Sequence, residues 1–320
     1  MKVAVTGVSG WVGSTVCTRL AERGHTTFPD SGNGSVSRIE LADPSSLDAF
    51  VKAAADAGAS ALIHCAARVH RLKETVIDPR REYQQINFVG TRELAAAARR
   101  YGIPRFVFVS SIKVNGEATY GRAFDGHGLP EPQDDYGRSK LAAERCLVEL
   151  MAGGGFEPVS LRPPLMYGAG VKANFRALIA MVLKRQPIPV GCITGNRRSV
   201  AAVRNFADAL ISAAAAASDR VSGRSFTFSD HPAVSMRTLV EEIASAAGVE
   251  PRLLPVPVWL MRLGGTLTGK SSVVGRLVGS LEVDGSEFSN ALDWVPPFAR
   301  NTELAAAVES VRSQLTMERP

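Results

Sequence analysis

The stretch YGRSK, residues 136–140, sets Tyr136 and Lys140 four positions apart. On a helix that spacing puts both side chains on one face. A phenol beside an ammonium is one way to make tyrosine an acid–base group near neutral pH, because a nearby positive charge favours the phenolate. The same spacing also occurs on solvated helix faces, so the pentapeptide alone leaves both readings open. Upstream, the apolar run RFVFVSS (105–111) ends in Ser110 and Ser111. A hydroxyl there would stand at the carboxyl edge of a sheet, where α/β folds bind ligands.

A second group is built for phosphate. TGVSGWVG (6–13) places Gly7, Gly10 and Gly13 between the β-branched run KVAVT (2–6) and a helical pattern that continues to Arg23. Glycine permits the tight turn and lets backbone N–H groups approach a pyrophosphate. The helix N-terminus adds partial positive charge. In this strand–turn–helix setting the spacing predicts a dinucleotide cofactor. Asp30, at the end of the next strand, is placed to accept from a ribose diol and to repel a 2′-phosphate, which predicts NAD over NADP. Arg38 would carry the opposite preference. Glu40 and Leu41 close an expected third strand, where the adenine should lie.

A competing motif, GGTLTGKS (264–271), has P-loop spacing. A working P-loop needs a buried strand before it. Here PVPVWLMRL precedes it, with two prolines and a helix-like tail. A nucleoside triphosphate site is therefore disfavoured.

These residues must be held by an alternation of strands and helices. Strands are expected at 2–6, 26–30, 37–41, 60–67, 105–111 and 157–164, with helices to Arg23, from Asp43-Pro44 to about 57, at 80–101 and at 134–153. Apolar runs separated by helices mean a parallel sheet covered on both faces. The fold class is α/β, a Rossmann-type doubly wound parallel sheet over 1–164. Residues 165–320 read as a smaller, mostly helical substrate lobe, partly interleaved with the first. Its expected helices are 173–185, 204–217 and 235–247, and its strands 225–229 and 252–256.

Composition excludes other classes. The chain carries a net charge of +6, but its 37 Lys and Arg are scattered without a run of five, so nucleic acid is not an expected partner. The cysteines Cys17, Cys65, Cys146 and Cys192 lack metal-ligand spacing, and no H-x-x-x-H pair exists. They read as free thiols in a reducing compartment, with no metal. No signal segment precedes the first strand and no run of 18 apolar residues occurs, so a cytoplasmic protein without a membrane span is expected.

Taken together, TGVSGWVG, LIHCAA (62–67), NFVGT (87–91), FVSSIKVNGE (108–117), YGRSK and RPPLMYG (162–168) arrive in the order and spacing of the extended short-chain dehydrogenase/reductase family, which the chain resembles over nearly its whole length. The resemblance implies Ser111, Tyr136 and Lys140 as the catalytic trio. It implies cofactor contacts from Gly7, Gly10, Trp11, Val12, Gly13, Asp30, Glu40, Leu41, Ala66, Ala67, Asn87, Tyr136, Lys140 and Pro163. It also implies a homodimer formed through the helices at 80–101 and 134–153.

Within the family, the dehydratase branch carries an Asp-Glu pair after the catalytic Ser or Thr. Here Ile112 and Lys113 stand there, so 4,6-dehydration is disfavoured. Asn115 replaces the usual tyrosine of the family's VYG. SSIKVNGE, GVKANF (170–175) and NRRSV (196–200) resemble the bacterial UDP-sugar branch, with 4-epimerases and 4-ketoreductases of surface-polysaccharide synthesis. That resemblance implies Asn174 and Arg198 at the diphosphate, Asn205 where Asp is more usual, and Lys113 within reach of the sugar. Epimerase and reductase share these groups. A non-catalytic dinucleotide sensor is the alternative, although it would not need the trio; another is a short-chain reductase with a non-sugar substrate.

Overall fold

The computed structural model describes residues 1–29, 39–68 and 78–317. The first unit runs β1 (Lys2–Thr6), α1 (Trp11–Glu22), β2 (Thr26–Phe28), α2 (Pro44–Asp56) and β3 (Ala61–His64). Asp43 caps α2 as its sequence predicts: its carboxylate accepts from Ser45 N at 3.0 Å, and Pro44 occupies the first turn. The expected third strand at 37–41 is corrected in its described part. Residues 39–41 turn into α2 instead, with Asp43 N donating to Glu40 O at 2.9 Å and Glu40 N to Ser46 Oγ at 3.3 Å. Asp30 and Arg38 lie outside the described residues.

The long helix expected at 80–101 is three pieces: α3 (Pro79–Tyr83), a π-helical turn at Gln84–Val89 and α4 (Gly90–Arg100). Such widened turns gather at functional sites, and this one carries Asn87. Next come β4 (Arg105–Val109), α5 (Asp135–Leu150) and β5 (Glu157–Arg162).

Beyond β5 the chain continues as β6 (Leu165–Tyr167), α6 (Ala173–Leu183), β7 (Val200–Ala202), α7 (Val203–Ala215), α8 (Ser218–Val221), β8 (Ser225–Thr227) and α9 (Met236–Ala247). It ends with α10 (Val258–Leu267), α11 (Ser271–Val278), α12 (Ser286–Leu292) and α13 (Arg300–Met317). The strand expected at 252–256 is only a bridge between Leu253 and Ile188.

The main sheet has the order β2-β1-β3-β4-β5-β8, with every pair parallel. From β1 the chain goes outward to β2 and returns on the other side as β3. The strand order therefore switches between β1 and β3, and a crevice opens at their carboxyl ends. Thr6 and His64 pair at that edge. One face of the sheet packs against α1 and α7 through Val16, Leu20, Phe206 and Leu210. The other packs against α2, α4 and α5 through Leu47, Val51, Leu94 and Leu147. A separate apolar cluster joins α6, α9 and α13, and β6 pairs with β7 beside it. β8, which lies past residue 165, joins the main sheet on β5.

Candidate active site

The glycine turn sits at the switch point. Gly7 has φ +72, a conformation that favours glycine, and a Cβ there would come within 2.8 Å of Ala66 N. A Cβ at Gly13 would lie 2.1 Å from Gly7 O, so α1 can leave the turn this tightly only without a side chain. Gly10 N closes the turn on Gly7 O at 2.8 Å. The first turn of α1, with Trp11, Val12 and Gly13, has no acidic residue and no side-chain cap. Its backbone N–H groups are left for an anion, and the residues present fit a dinucleotide pyrophosphate. Trp11 adds a strut: its Nε1 donates to Ala169 O at 2.6 Å, joining this turn to the loop after β6.

Beneath the turn runs a directed chain of hydrogen bonds. Ala66 N donates to Thr6 Oγ1 at 3.2 Å, and Thr6 Oγ1 lies 2.7 Å from His64 Nδ1. On the other side His64 Nε2 is 3.0 Å from Thr91 Oγ1, which itself donates to Asn87 O at 2.7 Å. The Thr91 hydroxyl spends its proton on a carbonyl, so it accepts from Nε2. That leaves Nδ1 to accept from Thr6. Burial pushes the His64 pKa down to about 3, which fixes the ring in this neutral form. LIHCAA holds His64 in plain view, but its role depends on partners distant in sequence.

The trio meets at the end of β4. The Ser111 hydroxyl is close enough to the Tyr136 phenol to favour its ionised form. The Lys140 ammonium lies 5.9 Å from the centroid of the Tyr136 ring and 4.5 Å from that of Phe108, and donates to Val109 O at 2.8 Å. Part of Tyr136 stays accessible, yet the surrounding protein pushes its pKa well above the usual tyrosine value. Ser111 acts against that shift; Asp134 and Tyr83 add to it. The expected depression of Tyr136 by Lys140 is thus corrected for the protein's own groups: burial dominates. Burial also lowers Lys140 to about 8.

Asn87 is buried and used by protein partners. Its Oδ1 accepts from Arg68 N at 2.8 Å, and its Nδ2 donates to Arg68 O and to Ser139 Oγ. It therefore holds the segment after β3 against α5 and offers a cofactor no free amide hydrogen. Ala66 and Ala67 follow β3 at the crevice, and Pro163 O accepts from Ile112 N at 3.0 Å beside Ser111. Leu41 O passes close to Gly90, where a Cβ would stand 2.5 Å away.

Lys113 departs from expectation. Its Nζ is held by Glu117 at 2.9 Å and by Asp134, so it is not free to reach a sugar. Asp134 also caps α5, accepting from Gly137 N at 2.7 Å. Lys113 thereby braces the turn that presents Tyr136. A second support was not foreseen: Arg162 and Glu144, both buried, form an ion pair, and Glu144 accepts from Ser110. Arg162 also donates to Asn115 Oδ1 at 3.2 Å. Asn115 is buried scaffold in place of the family's tyrosine.

Arg198 behaves differently from these paired cations. Its backbone bridges to Val234 and Leu281. Among the described residues its guanidinium has no carboxylate partner, and burial alone lowers its pKa. A partly desolvated, unpaired guanidinium is a ready anion site. Asn174 is exposed in the first turn of α6 and does not cap it; Lys172 holds the cap position. Asn205 is buried and clips α7 to Asp230 and Phe298. The P-loop-like stretch lies on α10 and the start of α11, with no strand before it, so it is no phosphate cradle. Burial raises the Cys65 thiol, which argues against a nucleophilic cysteine beside the turn.

A doubly wound sheet, a glycine turn at its switch point and a Ser–Tyr–Lys cluster at the next carboxyl edge define a short-chain dehydrogenase/reductase. Residues 3–227 match the family model described as "NAD dependent epimerase/dehydratase family", and the chain belongs to that family of NAD-dependent enzymes. It is 41% identical over 237 residues to a UDP-glucose 4-epimerase of Vibrio cholerae, covering 74% of this chain and 72% of the relative. Among solved structures it resembles RMD from Pseudomonas aeruginosa complexed with NADPH, with TM-score 0.77 and 21% identity over 97% of this chain and 99% of that one. It also resembles the Thermus thermophilus UDP-glucose 4-epimerase complex with NAD, with TM-score 0.71 and 21% identity over 98% and 99% of the two chains.

Proposed function

We propose that the protein is a UDP-sugar 4-epimerase, inverting C4 of a UDP-hexose or UDP-hexosamine. The observation that supports this reading is the meeting of Ser111, Tyr136 and Lys140 at the carboxyl end of β4. The 41% identity to a UDP-glucose 4-epimerase supports the choice of substrate class.

Bound NAD would supply the hydride acceptor and a positive charge close to Tyr136. The Gly7–Gly13 turn would hold its pyrophosphate and Lys140 its nicotinamide ribose. Tyr136 takes the proton of the sugar O4 hydroxyl as the C4–H bond breaks, and returns it when C4 is reduced from the opposite face. Ser111 holds the same oxygen. Arg198 takes the diphosphate, with Asn174 beside it. The branch resemblance supports a place in activated-sugar supply for bacterial surface polysaccharide, in the cytoplasm. The packed pair α4 and α5 is the proposed homodimer face, which light scattering would check.

The test is to purify the protein, measure bound nicotinamide and incubate UDP-glucose, UDP-galactose and their N-acetyl counterparts with and without NADH or NADPH. An epimerase equilibrates the sugars with no net cofactor consumption. Stoichiometric consumption of NAD(P)H with a 4-keto sugar would assign a reductase instead. Bound nicotinamide with no turnover of any sugar would leave the sensor reading standing.

A further inference from the structure

Helix α10 wears its apolar stripe on the wrong side for a globular protein. Trp259, Leu263 and Leu267 repeat every four residues along one face, yet they are 67%, 49% and 79% exposed. Leu260 and, on α11, Val273 extend the patch. The opposite side of α10 is already satisfied. Val258 and Met261 pack on the lobe core, and Gly265 meets Val274 of α11 so closely that a Cβ would lie 2.8 Å from Val274 Cγ2. A surface helix ordinarily turns its apolar stripe inward, so the outer stripe lacks a partner within the chain.

The charge around the stripe has one sign. From Arg252 to Leu281 the sequence holds Arg252, Arg262, Lys270 and Arg276 and no Asp or Glu. All four are exposed, and none has a carboxylate partner among the described residues. An outward stripe of Trp and Leu flanked by unpaired Arg and Lys is the pattern of a helix that lies in a membrane interface. We infer that the α10–α11 hairpin docks on an anionic lipid surface. A second copy of the chain fits this face less well, because a two-fold contact would bring the two basic sets together. No described helix is long and apolar enough to cross a membrane, so the contact is peripheral. It uses no residue assigned to the candidate active site. However, the hairpin leads straight into Ser280–Val283, which bridges to Thr119, Phe124 and Arg198. Docking would bring the segment that bridges to Arg198 toward the bilayer.

The experiment is co-sedimentation of the full chain with vesicles of phosphatidylglycerol and phosphatidylcholine, against phosphatidylcholine alone. Binding is expected only to the anionic vesicles and should weaken as salt is raised. The triple variant Trp259→Ser, Leu263→Ser, Leu267→Ser changes exposed side chains only and should lose binding while keeping its melting temperature and bound nicotinamide. Arg262→Gln and Lys270→Gln should each weaken binding about five-fold. No binding of the wild type to anionic vesicles would overturn the inference, as would equal binding by the triple variant. Conversion of an oligomer to a monomer by the triple variant, without vesicle binding by the parent, would assign the face to a second copy and also overturn it.

Discussion

The Lys140 ammonium donates to the Val109 carbonyl at 2.8 Å, fastening the Tyr136 helix to the last residue of β4. Burial holds this lysine near 8, below its ordinary 10.5. Its charge is therefore lost as pH rises through about 8. NAD affinity, if it depends on the ammonium, should fall over that range. Lys140→Met should bind NAD more weakly and lose the pH dependence. A variant whose titration follows the wild-type curve would remove Lys140 from the cofactor site.

Tyr136→Phe keeps the ring and its edge contact with Tyr83 but removes the transferable proton. Turnover should drop by about 10²–10⁴-fold, with melting and NAD binding nearly unchanged. Near-normal turnover of a UDP-hexose by the folded variant would exclude Tyr136 as the acid–base group.

Lys113→Met separates brace from sugar contact. The Glu117 and Asp134 pairs are half-exposed, so their loss should cost up to about 1 kcal/mol of stability. Because the brace acts on the Tyr136 turn, kcat should fall more than KM rises. A large rise in KM with unchanged melting would give Lys113 back to the sugar.

Glu144→Gln leaves Arg162 buried without its carboxylate. Breaking one half of such a pair costs about 3–5 kcal/mol. The urea midpoint should fall accordingly, and a shift within experimental noise would show that Arg162 finds another partner.

His64 predicts an acid limit. Its pKa is 6.5 when exposed and about 3 here, so the unfolded chain binds more protons between those values. Stability is fully present above 6.5 and is lost as pH falls toward 3. The expected loss is about 2 kcal/mol from roughly pH 7 to pH 5. His64→Gln should flatten that slope in urea unfolding, and an equal slope in both proteins would assign the acid sensitivity elsewhere.

The elements that place the cofactor were legible because each carries a local signal. KVAVT gave β1 from branched residues alone, and Asp43-Pro44 gave the start of α2. The end of the run SRIEL misled, since residues 39–41 turn into α2. β6 and β7 are three residues each and too short for any period to show. Helix α13 was missed although Leu304, Ala307, Val308 and Val311 repeat at helical spacing and are buried. In α10 the helix-like tail after the prolines is a helix that starts immediately after Pro257. In the site, residue types named the trio, but not what each atom is spent on. Lys113 meets Asp134, and Asn87 meets Arg68 and Ser139, across separations that only the fold closes.

The path of β8 matters to anyone who would recombine such chains. It supplies the outer strand of the main sheet beside β5, while α7 covers the face shared with α1 through Phe206 and Leu210. Both come from the second half of the sequence, between stretches that build the smaller lobe. No single crossover point exchanges one lobe for another. Exchanging the helices of the smaller lobe would take α6, α9–α11 and α13 as separate inserts, leaving α7 and β8 in place. A chain cut after Pro164 would expose the β5 edge, open to pairing with its own copies.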